Sequence, residues 1–163
     1  MIIFSANEVL TMTEIEDLQS SEGNTLRQSN IKLFRTMLAH LGQAEFKLAT
    51  DMLAEDVYCD WPYIPAPGLA ESITGRQQVH DFFAGGMSDF EPYKYTITEI
   101  YELIEPNTLI AEYFSDSKHL KTGKPYGNKY VAIVRFSDGE ICYWREYVNP
   151  LPIHEALRAT GAL

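Results

Sequence analysis

The stretch YGNKYVAIVRFSDGEICYWREYVNP, residues 126–150, predicts two long β-strands joined by a tight turn. Apolar and polar residues alternate on both sides of Ser137-Asp138-Gly139, and Asp-Gly between two such runs is typical of a hairpin turn. We therefore predict antiparallel strands at 127–137 and 140–148. A long hairpin of this kind needs a covering layer on its apolar face, which the rest of the chain must supply.

The preceding sequence predicts further strands in the same pattern. Runs at 93–104 and 108–118 are separated by Glu105-Pro106-Asn107, and a turn signal at 121–124 connects them to the hairpin. An earlier segment, DVYCDWPY at 56–63, also has a period of two. It places Val57, Cys59 and Trp61 on one face, with Tyr58 and Asp60 on the other.

Helical spacing appears in four places. Ile31, Phe34, Leu38 and Leu41 recur at intervals of three and four residues, which predicts a helix at about 24–41 that stops at Gly42. A short helix follows at about 43–53, with Met52 and Leu53 on its apolar stripe. RQQVHDFFAGGM reads as a helix with Phe82 and Phe83 inward, ended by Gly85-Gly86, and PIHEALRATG closes the chain as a short helix. The order of elements predicts an α+β fold, with helices on one face of a curved sheet.

Composition fits one globular domain, which we place at 24–163, after a mobile acidic arm at 1–23 that carries a charge of −5. Met12 could equally be the start of translation. The net charge of −10 disfavours nucleic-acid binding, and no apolar run reaches bilayer length. The opening residues lack the basic region of a secretory signal, so we expect a cytoplasmic protein. Cysteine and histidine spacings predict no metal site.

Three segments in this order resemble a known group: LATDMLAEDVYCDWPY, ITGRQQVHDFF and TGKPYGNKYVAIVRFSDGEICYWREYVNP. They are similar to the nuclear-transport-factor-2-like (cystatin-like cone) superfamily, and within it to the SnoaL-like branch, over about residues 27–160. Residues 126–161 also resemble the phenazine biosynthesis A/B family. The resemblance implies a cone, in which a strongly bent sheet wraps around three helices and a pocket opens at one end. It also implies a homodimer packed through the outer sheet face and acid/base chemistry without a metal or organic cofactor.

The last strand carries two adjacent charges, Arg145 and Glu146, that must point to opposite faces. Cys142, Trp144, Glu146 and Val148 form the more apolar set, so we predict that they face the interior. Ile141, Tyr143, Arg145 and Tyr147 then face outward, towards the expected dimer partner. In the phenazine A/B family a glutamate in the matching Arg-Glu pair is a pocket acid/base, and Glu146 occupies that place. Burial should raise its pKa; a structural glutamate bound by a neighbour remains the alternative.

Two further residues are candidates for catalysis by resemblance. Asp60 stands near the position of the general-base aspartate of ketosteroid-isomerase-like members, but one inserted residue disturbs the match, and it faces outward if Cys59 and Trp61 face inward. His80 lies in the helix that carries a functional histidine in the phenazine family, about two residues before the aligned position. An exposed or core-edge histidine is the alternative for His80.

Substrate-binding candidates come from the same faces. Asn128 and Tyr130 share a face with Ala132, Val134 and Phe136 and could donate hydrogen bonds to a carbonyl or hydroxyl group. Aromatic contacts are expected from the remaining candidates, although aromatic residues on strands are more often core: Trp144, Trp61, Tyr58, Tyr63 and Phe83. Glu112 and Asp116 share a strand face and are either a pocket pair or a solvated outer pair.

These patterns leave two hypotheses. The first is a small cofactor-independent SnoaL-like enzyme in which Glu146 moves a proton on a hydrophobic, carbonyl-containing, polyketide- or phenazine-like molecule, causing isomerisation, cyclisation, dehydration or condensation. The second is a non-catalytic small-molecule-binding or dimeric assembly module of the same fold. Epoxide hydrolysis would need an Asp-Arg-Asp-like cluster, and no clear set is visible. The absence of a phosphate loop and of a nucleophile elbow argues against nucleotide cofactors and covalent Ser/Cys catalysis.

Overall fold

The computed structural model describes residues 11–18, 20–63 and 70–160 of the chain. These residues form an α+β fold with eleven elements, in the following order: α1 (Met12–Leu18), α2 (Ser21–Gly42), α3 (Phe46–Thr50), β1 (Leu53–Asp60), β2 (Ser72–Thr74), α4 (Arg76–Met87), β3 (Lys94–Glu102), β4 (Thr108–Lys118), β5 (Pro125–Ser137), β6 (Glu140–Val148) and α5 (Pro150–Thr160).

The described strands form one six-stranded sheet in the order β2-β1-β6-β5-β4-β3. All neighbours are antiparallel except β1 and β6, which run parallel. The register shifts within the β1–β6, β3–β4 and β5–β6 pairs, and such irregularities bend a strand and increase its twist. The predicted α+β class, with a curved and mostly antiparallel sheet, is confirmed.

The β5–β6 hairpin has the turn that its sequence predicts. Asp138 and Gly139 both have positive φ angles, 54° and 79°, as a two-residue turn of the primed type requires. On β5 the predicted inward set is confirmed, because the five alternating residues from Asn128 to Phe136 are all buried.

The predicted faces of β6 need two corrections, because Cys142 was predicted to face inward and Ile141 outward. Arg135 pairs with Tyr143 while the next residue, Phe136, pairs with Ile141, so β6 has one extra residue at this point. Beyond this bulge the alternation reverses: Ile141 is fully buried, and the thiol of Cys142 lies near the backbone carbonyl of Arg135. The predicted orientations of Trp144, Glu146 and Val148 hold, because they lie on the other side of the bulge.

Helix α2 forms the centre of the core. Phe34, Met37, Leu38 and Leu41 recur at helical spacing and are at most 2% exposed. The ring of Phe34 packs edge-on against Tyr113 of β4 and Trp144 of β6, which anchors the helix to the inner face of the sheet. Helices α3 and α4 continue this layer through Ala49 and Val79, which are both buried.

Several predicted boundaries were wrong near the N-terminal half. Helix α2 begins at Ser21, where the Ser20 side chain accepts the backbone N–H of Gly23, and α1 occupies 12–18 within the segment that was predicted as an arm. The short helix at 43–53 is only Phe46–Thr50, and Leu53 already belongs to β1. Strand β2 was not predicted. Residues 1–10 and most of the proline-containing loop, 64–69, lie outside the described residues.

Candidate functional site

Glu146 lies on the inner face of β6, between β1 and β5 in the sheet. Its side chain is buried, with 9% exposure for the residue. Two neighbours donate hydrogen bonds to it: the Tyr113 hydroxyl donates to Oε1, and the Trp61 indole Nε1–H donates to Oε2 at 3.2 Å. Both oxygens of the carboxyl are therefore held in place by groups from β4 and from the end of β1.

The environment of Glu146 changes its proton affinity. Burial raises the pKa of the carboxyl to about 7, although the hydrogen bonds from Tyr113 and Trp61 act in the opposite direction. A carboxyl with this pKa is present in both protonation states at neutral pH. It can consequently accept a proton and return it without a large change in free energy.

A cavity of about 230 Å³ lies against Glu146. Helices α4 and α5 form one side of it and the inner face of the sheet forms the other. Its wall is mainly aromatic and aliphatic, and Glu146 is the single carboxyl among these lining residues: Leu41, Trp61, Ala70, Phe82, Phe83, Gly86, Met87, Phe90, Tyr93, Tyr95, Tyr126, Tyr130, Trp144, Glu146, Val148, Ile153, Ala156 and Leu157.

Four tyrosines add hydroxyl groups to this wall. Burial raises the pKa of the hydroxyl groups of Tyr93, Tyr95, Tyr126 and Tyr130, and the charge of Glu146 adds to this for all but Tyr93. These hydroxyls therefore stay protonated and can donate hydrogen bonds. The Tyr130 hydroxyl is within 2.9 Å of Ser115 Oγ, which fixes its position on β5.

Four of the predicted binding residues line the cavity beside Glu146, namely Trp61, Phe83, Trp144 and Tyr130. Trp144 stacks against Phe83 at a ring distance of 5.6 Å, and Trp61 lies 4.8 Å from Phe82. Helix α4 and the sheet thus close over the carboxyl through aromatic pairs.

Asn128 points inward as predicted but does not line the cavity. Its Nδ2 donates to the Asn149 carbonyl at 2.9 Å, and its Oδ1 accepts the Lys129 backbone N–H at 2.8 Å. The amide therefore ties the end of β5 to the segment after β6. Asn128 is therefore not placed to contact a ligand in the cavity, contrary to the prediction.

Asp60 lies on the outer face of β1, and its predicted place in the pocket is wrong. Arg145 of β6 binds its carboxylate with contacts of 2.6–3.1 Å, and the Tyr143 hydroxyl lies 3.4 Å away. Strand alternation explains the orientation, because Val57 and Cys59 are buried on the opposite side. The carboxylate of Asp60 is largely shielded, with its side chain 11% exposed, and Arg145 covers it on the outer face of the sheet.

His80 also lies away from the cavity, contrary to its predicted role. Its ring is partly exposed on α4, where it contacts the Asp81 carboxylate at 3.0 Å and meets the edge of Phe46. Val79 occupies the buried position of this turn instead. Consecutive residues of an α-helix point in different directions, so His80, next to the buried Val79, does not lie on the face of α4 that packs against the core.

Tyr58 and Tyr63 form no rim around the cavity, which corrects a further prediction. Tyr58 is exposed on the outer sheet face and stacks on Tyr143, and Tyr63 meets Tyr147 at a tilted angle. The guanidinium of Arg135 lies 4.8 Å from the Tyr143 ring centre. The outer face of the sheet thus carries a cluster of tyrosines and arginines.

Tyr113 is the functional residue that sequence reasoning missed. It belongs to an alternating buried set on β4, Leu109, Ala111, Tyr113 and Ser115. The same alternation puts Glu112 and Asp116 outside, where both are exposed. Tyr113 could have been identified from the sequence, because it is the one aromatic residue among the inward-facing residues of β4.

Within the described ranges, no group of three or more His, Cys, Asp or Glu side chains is arranged to hold a metal ion. Nor does any described helix combine the length and hydropathy that crossing a bilayer demands. The polar groups available for chemistry in the cavity are consequently Glu146 and the hydroxyl and indole donors around it.

Comparisons with known proteins agree on one group. A family model described as the SnoaL-like domain matches residues 34–144. An uncharacterized protein of Bacillus subtilis (strain 168), YesE, is 29% identical over 122 residues, which is 75% of this chain and 82% of that protein.

Two solved structures are similar over most of their length. One is an isomerase candidate from Bacillus subtilis, with 26% identity, a TM-score of 0.73 and coverage of 80% of this chain and 93% of that one. The other is a phenazine biosynthesis-related protein from Pseudomonas aeruginosa, with 21% identity, a TM-score of 0.67 and coverage of 86% and 85%. At this level of identity, the second likeness concerns the fold.

Proposed function

The chain belongs to the SnoaL-like domain family, and from that premise we propose that its cavity is the active site of a small acid/base enzyme. The substrate class is an apolar molecule with a carbonyl group. The observation that carries this proposal is the position of Glu146, a carboxyl with a pKa of about 7 in a wall of aromatic side chains. Such a carboxyl is suited to proton transfer at neutral pH.

The proposed step is removal of a proton from the carbon next to the carbonyl. Glu146 accepts this proton as a carboxylate, and the electron pair of the C–H bond moves to the carbonyl oxygen to form an enolate. A tyrosine hydroxyl of the cavity donates a hydrogen bond to that oxygen, where negative charge develops. Tyr95, Tyr126 and Tyr130 are the candidates, because each lines the cavity and burial raises the pKa of its hydroxyl.

The fate of the enolate decides the net reaction. Return of the proton from Glu146 to a different carbon gives an isomerisation. Attack of the enolate carbon on a second carbonyl forms a C–C bond, and the resulting alkoxide takes the proton back from Glu146, which gives a cyclisation or condensation. Loss of hydroxide from the carbon next to the enolate carbon, with the proton of Glu146 converting it to water, gives a dehydration. All of these outcomes share the first proton transfer, so that transfer is the step to test.

The size and polarity of the cavity support an apolar substrate body. Its volume of about 230 Å³ is below the range of roughly 300–1,000 Å³ that is usual for drug-sized ligands. We infer a body of about two fused rings, because aromatic walls favour flat apolar groups. Trp61, Trp144 and Phe83 would contact its faces.

A second candidate function is binding without catalysis. It is favoured by the two protein donors that already occupy Oε1 and Oε2 of Glu146, and by the lack of another carboxyl or histidine among the described lining residues. In this case Glu146 would serve to fix Tyr113 and Trp61 in the wall. The two functions make different predictions for proton exchange on a bound ketone.

The experiment is deuterium exchange into 2-tetralone, a bicyclic ketone, in buffered D₂O, followed by mass spectrometry. We expect the protein to accelerate exchange of the α-protons, with a rate that rises with pH through about 7. Glu146→Gln should lower the rate by roughly 100-fold or more, because a neutral amide cannot accept the proton. Glu112→Gln is the matched control, because Glu112 is an exposed carboxyl on the outer side of β4.

Exchange that is equally fast in Glu146→Gln would contradict the enzymatic proposal. Ketone that binds, without any acceleration above the buffer rate, would favour the second candidate. Binding is followed by tryptophan fluorescence, since both tryptophans of the chain line the cavity.

A further inference from the structure

A second concavity lies directly outside the cavity and shares part of its wall. It is a groove of about 650 Å³ between the 119–127 segment and helix α5. Phe90, Tyr126 and Ala156 line both the groove and the cavity. The cavity and the groove are therefore adjacent, with these three residues between them.

The groove differs from the cavity in charge. Lys124 and Arg158 line it, with Glu155 as the one acidic lining residue that the structure describes. Neither cation belongs to any ion pair found within residues 11–18, 20–63 and 70–160. The groove therefore carries two cations and one carboxylate, in a chain whose net charge is −10.

His119 adds a buried polar atom to the same wall. The Thr122 backbone N–H donates to its Nδ1 at 3.1 Å, so the proton of the neutral ring is on Nε2. This Nε2 has no hydrogen-bond acceptor in the described structure, and the residue is only 6% exposed. This donor is shielded from solvent, so a ligand in the groove would reach it only after a local movement of the wall.

We propose that the groove is an anion subsite for the tail of the ligand whose apolar carbonyl body occupies the cavity. The inference rests on the proposed function and adds the chemical class of the substrate: an apolar ketone or related carbonyl compound with a carboxylate or other anionic tail. Lys124 and Arg158 would attract the tail. Glu146 would keep the tail out of the cavity, because a second negative charge next to a buried carboxylate is costly.

The test compares two probes that differ only in charge, 4-(2-naphthyl)-4-oxobutanoate and its methyl ester. Their naphthyl ketone suits the cavity, and the carboxylate ends a short chain that can reach the groove. Binding is measured by quenching of Trp61 and Trp144 at low ionic strength, with correction for probe absorbance, and by isothermal titration. We expect the anion to bind about 3- to 10-fold more tightly than the ester, since partly exposed charge contacts have modest strength.

The variants assign this difference to particular side chains. Lys124→Gln with Arg158→Gln should remove the preference for the anion and leave the affinity for the ester unchanged. Lys32→Gln with Lys129→Gln removes the same charge elsewhere, because both lysines are exposed, on α2 and on the outer side of β5. That control should keep the preference, and added salt should weaken it.

Three results would overturn the inference in distinguishable ways. Equal affinities for the anion and the ester would refute the anion subsite and leave the proposed function intact. A preference that survives in Lys124→Gln with Arg158→Gln would show that these side chains are not its cause. No quenching by either probe would refute the subsite together with its premise, the ketone-binding cavity.

Discussion

Arg145 and Glu146 are adjacent in the chain and lie in very different environments. Arg145 reaches the outer face, where Asp60 neutralises it and water covers about a third of its side chain. Glu146 is enclosed, and the groups that contact it are neutral donors. The carboxyl therefore has no counter-charge to hold it ionised, which explains why burial dominates its pKa.

This raised pKa has a consequence for stability. Glu146 binds its proton with a pKa of about 7 in the folded state, against 4.5 for an ordinary glutamate in the unfolded chain. Between these values the folded protein holds a proton that the unfolded chain has released, so the free energy of unfolding falls as pH rises from 4.5 to 7. We expect wild type to lose about 2–3 kcal/mol between pH 5 and 8 relative to Glu146→Gln.

Urea denaturation of both proteins at pH 5, 6, 7 and 8 measures this difference. The other titrating groups are common to the two chains and cancel in the comparison. A constant difference across this range would mean that the carboxyl titrates normally, and the acid/base role would lose its physical basis.

Strand alternation was enough to predict the orientation of Glu146, Trp144 and Tyr130, because all three lie in regular pairing. Strand alternation also predicted, as one of two alternatives, that Asp60 faces outward. It could not predict that Tyr113 and Trp61 donate to Glu146, since Trp61 is 85 residues and Tyr113 is 33 residues away in the chain. Contacts of this kind depend on strand order, and one sequence does not contain that information directly.

At the level of elements, a glycine was a reliable marker only where the backbone required a positive φ angle, because Gly85-Gly86 was predicted to end α4 and the helix runs to Met87. Asp138-Gly139 was predicted correctly because two consecutive positive φ angles select these residues. The bulge at Cys142 was invisible, because an extra residue in one strand leaves no composition signal. The wrong orientation of Cys142 followed from this alone.

The same substitution at two glycines should have opposite effects on stability. Gly139 has a φ of 79° and Gly85 lies within α4, and an added Cβ would meet no atom within 4 Å at either position. Gly139→Ala should destabilise the protein by about 1 kcal/mol, because alanine is strained at positive φ. Gly85→Ala should stabilise it by about 0.5–1 kcal/mol, because alanine favours the helix.

Thermal unfolding of Gly139→Ala, Gly85→Ala and wild type measures these two changes in stability. Since neither methyl group makes a new contact, the sign of each change reports backbone conformation. A stabilising effect of Gly139→Ala would be incompatible with the primed turn.

For the whole molecule, the composition of the outer sheet face predicts a homodimer. Tyr58, Tyr63, Tyr143 and Tyr147 lie there with Arg135 and Arg145, a mixture typical of interfaces. We expect a dimer in sedimentation at micromolar concentration. Val131→Asp, on the exposed side of β5, should weaken it at least about tenfold by placing a charge in the contact.

Leu48→Asp is the control for this prediction. Leu48 is also an exposed apolar residue, but it lies on α3, on the helical side of the molecule. A protein that sediments only as a monomer would refute the interface. Equal weakening by both substitutions would point to a different contact surface.

The fold as a whole followed from the sequence more readily than the site did. Four of the six strands and the main helices had correct positions because their apolar periods are long. Strand β2 has three residues, too few for a period to be visible. The parallel contact of β1 with β6 had no local signal, because the pairing joins distant parts of the chain.

That parallel contact also sets the order in which the molecule can assemble. Asp60 pairs with Arg145, 85 residues later, so β1 has no partner on this side until the chain has been synthesised beyond β6. The β3–β6 meander has local pairings that can form without β1, and joining β1 to it closes a long loop at an entropic cost. Trp61 reaches Glu146 only when β1 joins the meander. The cavity is therefore expected to form after the meander during synthesis.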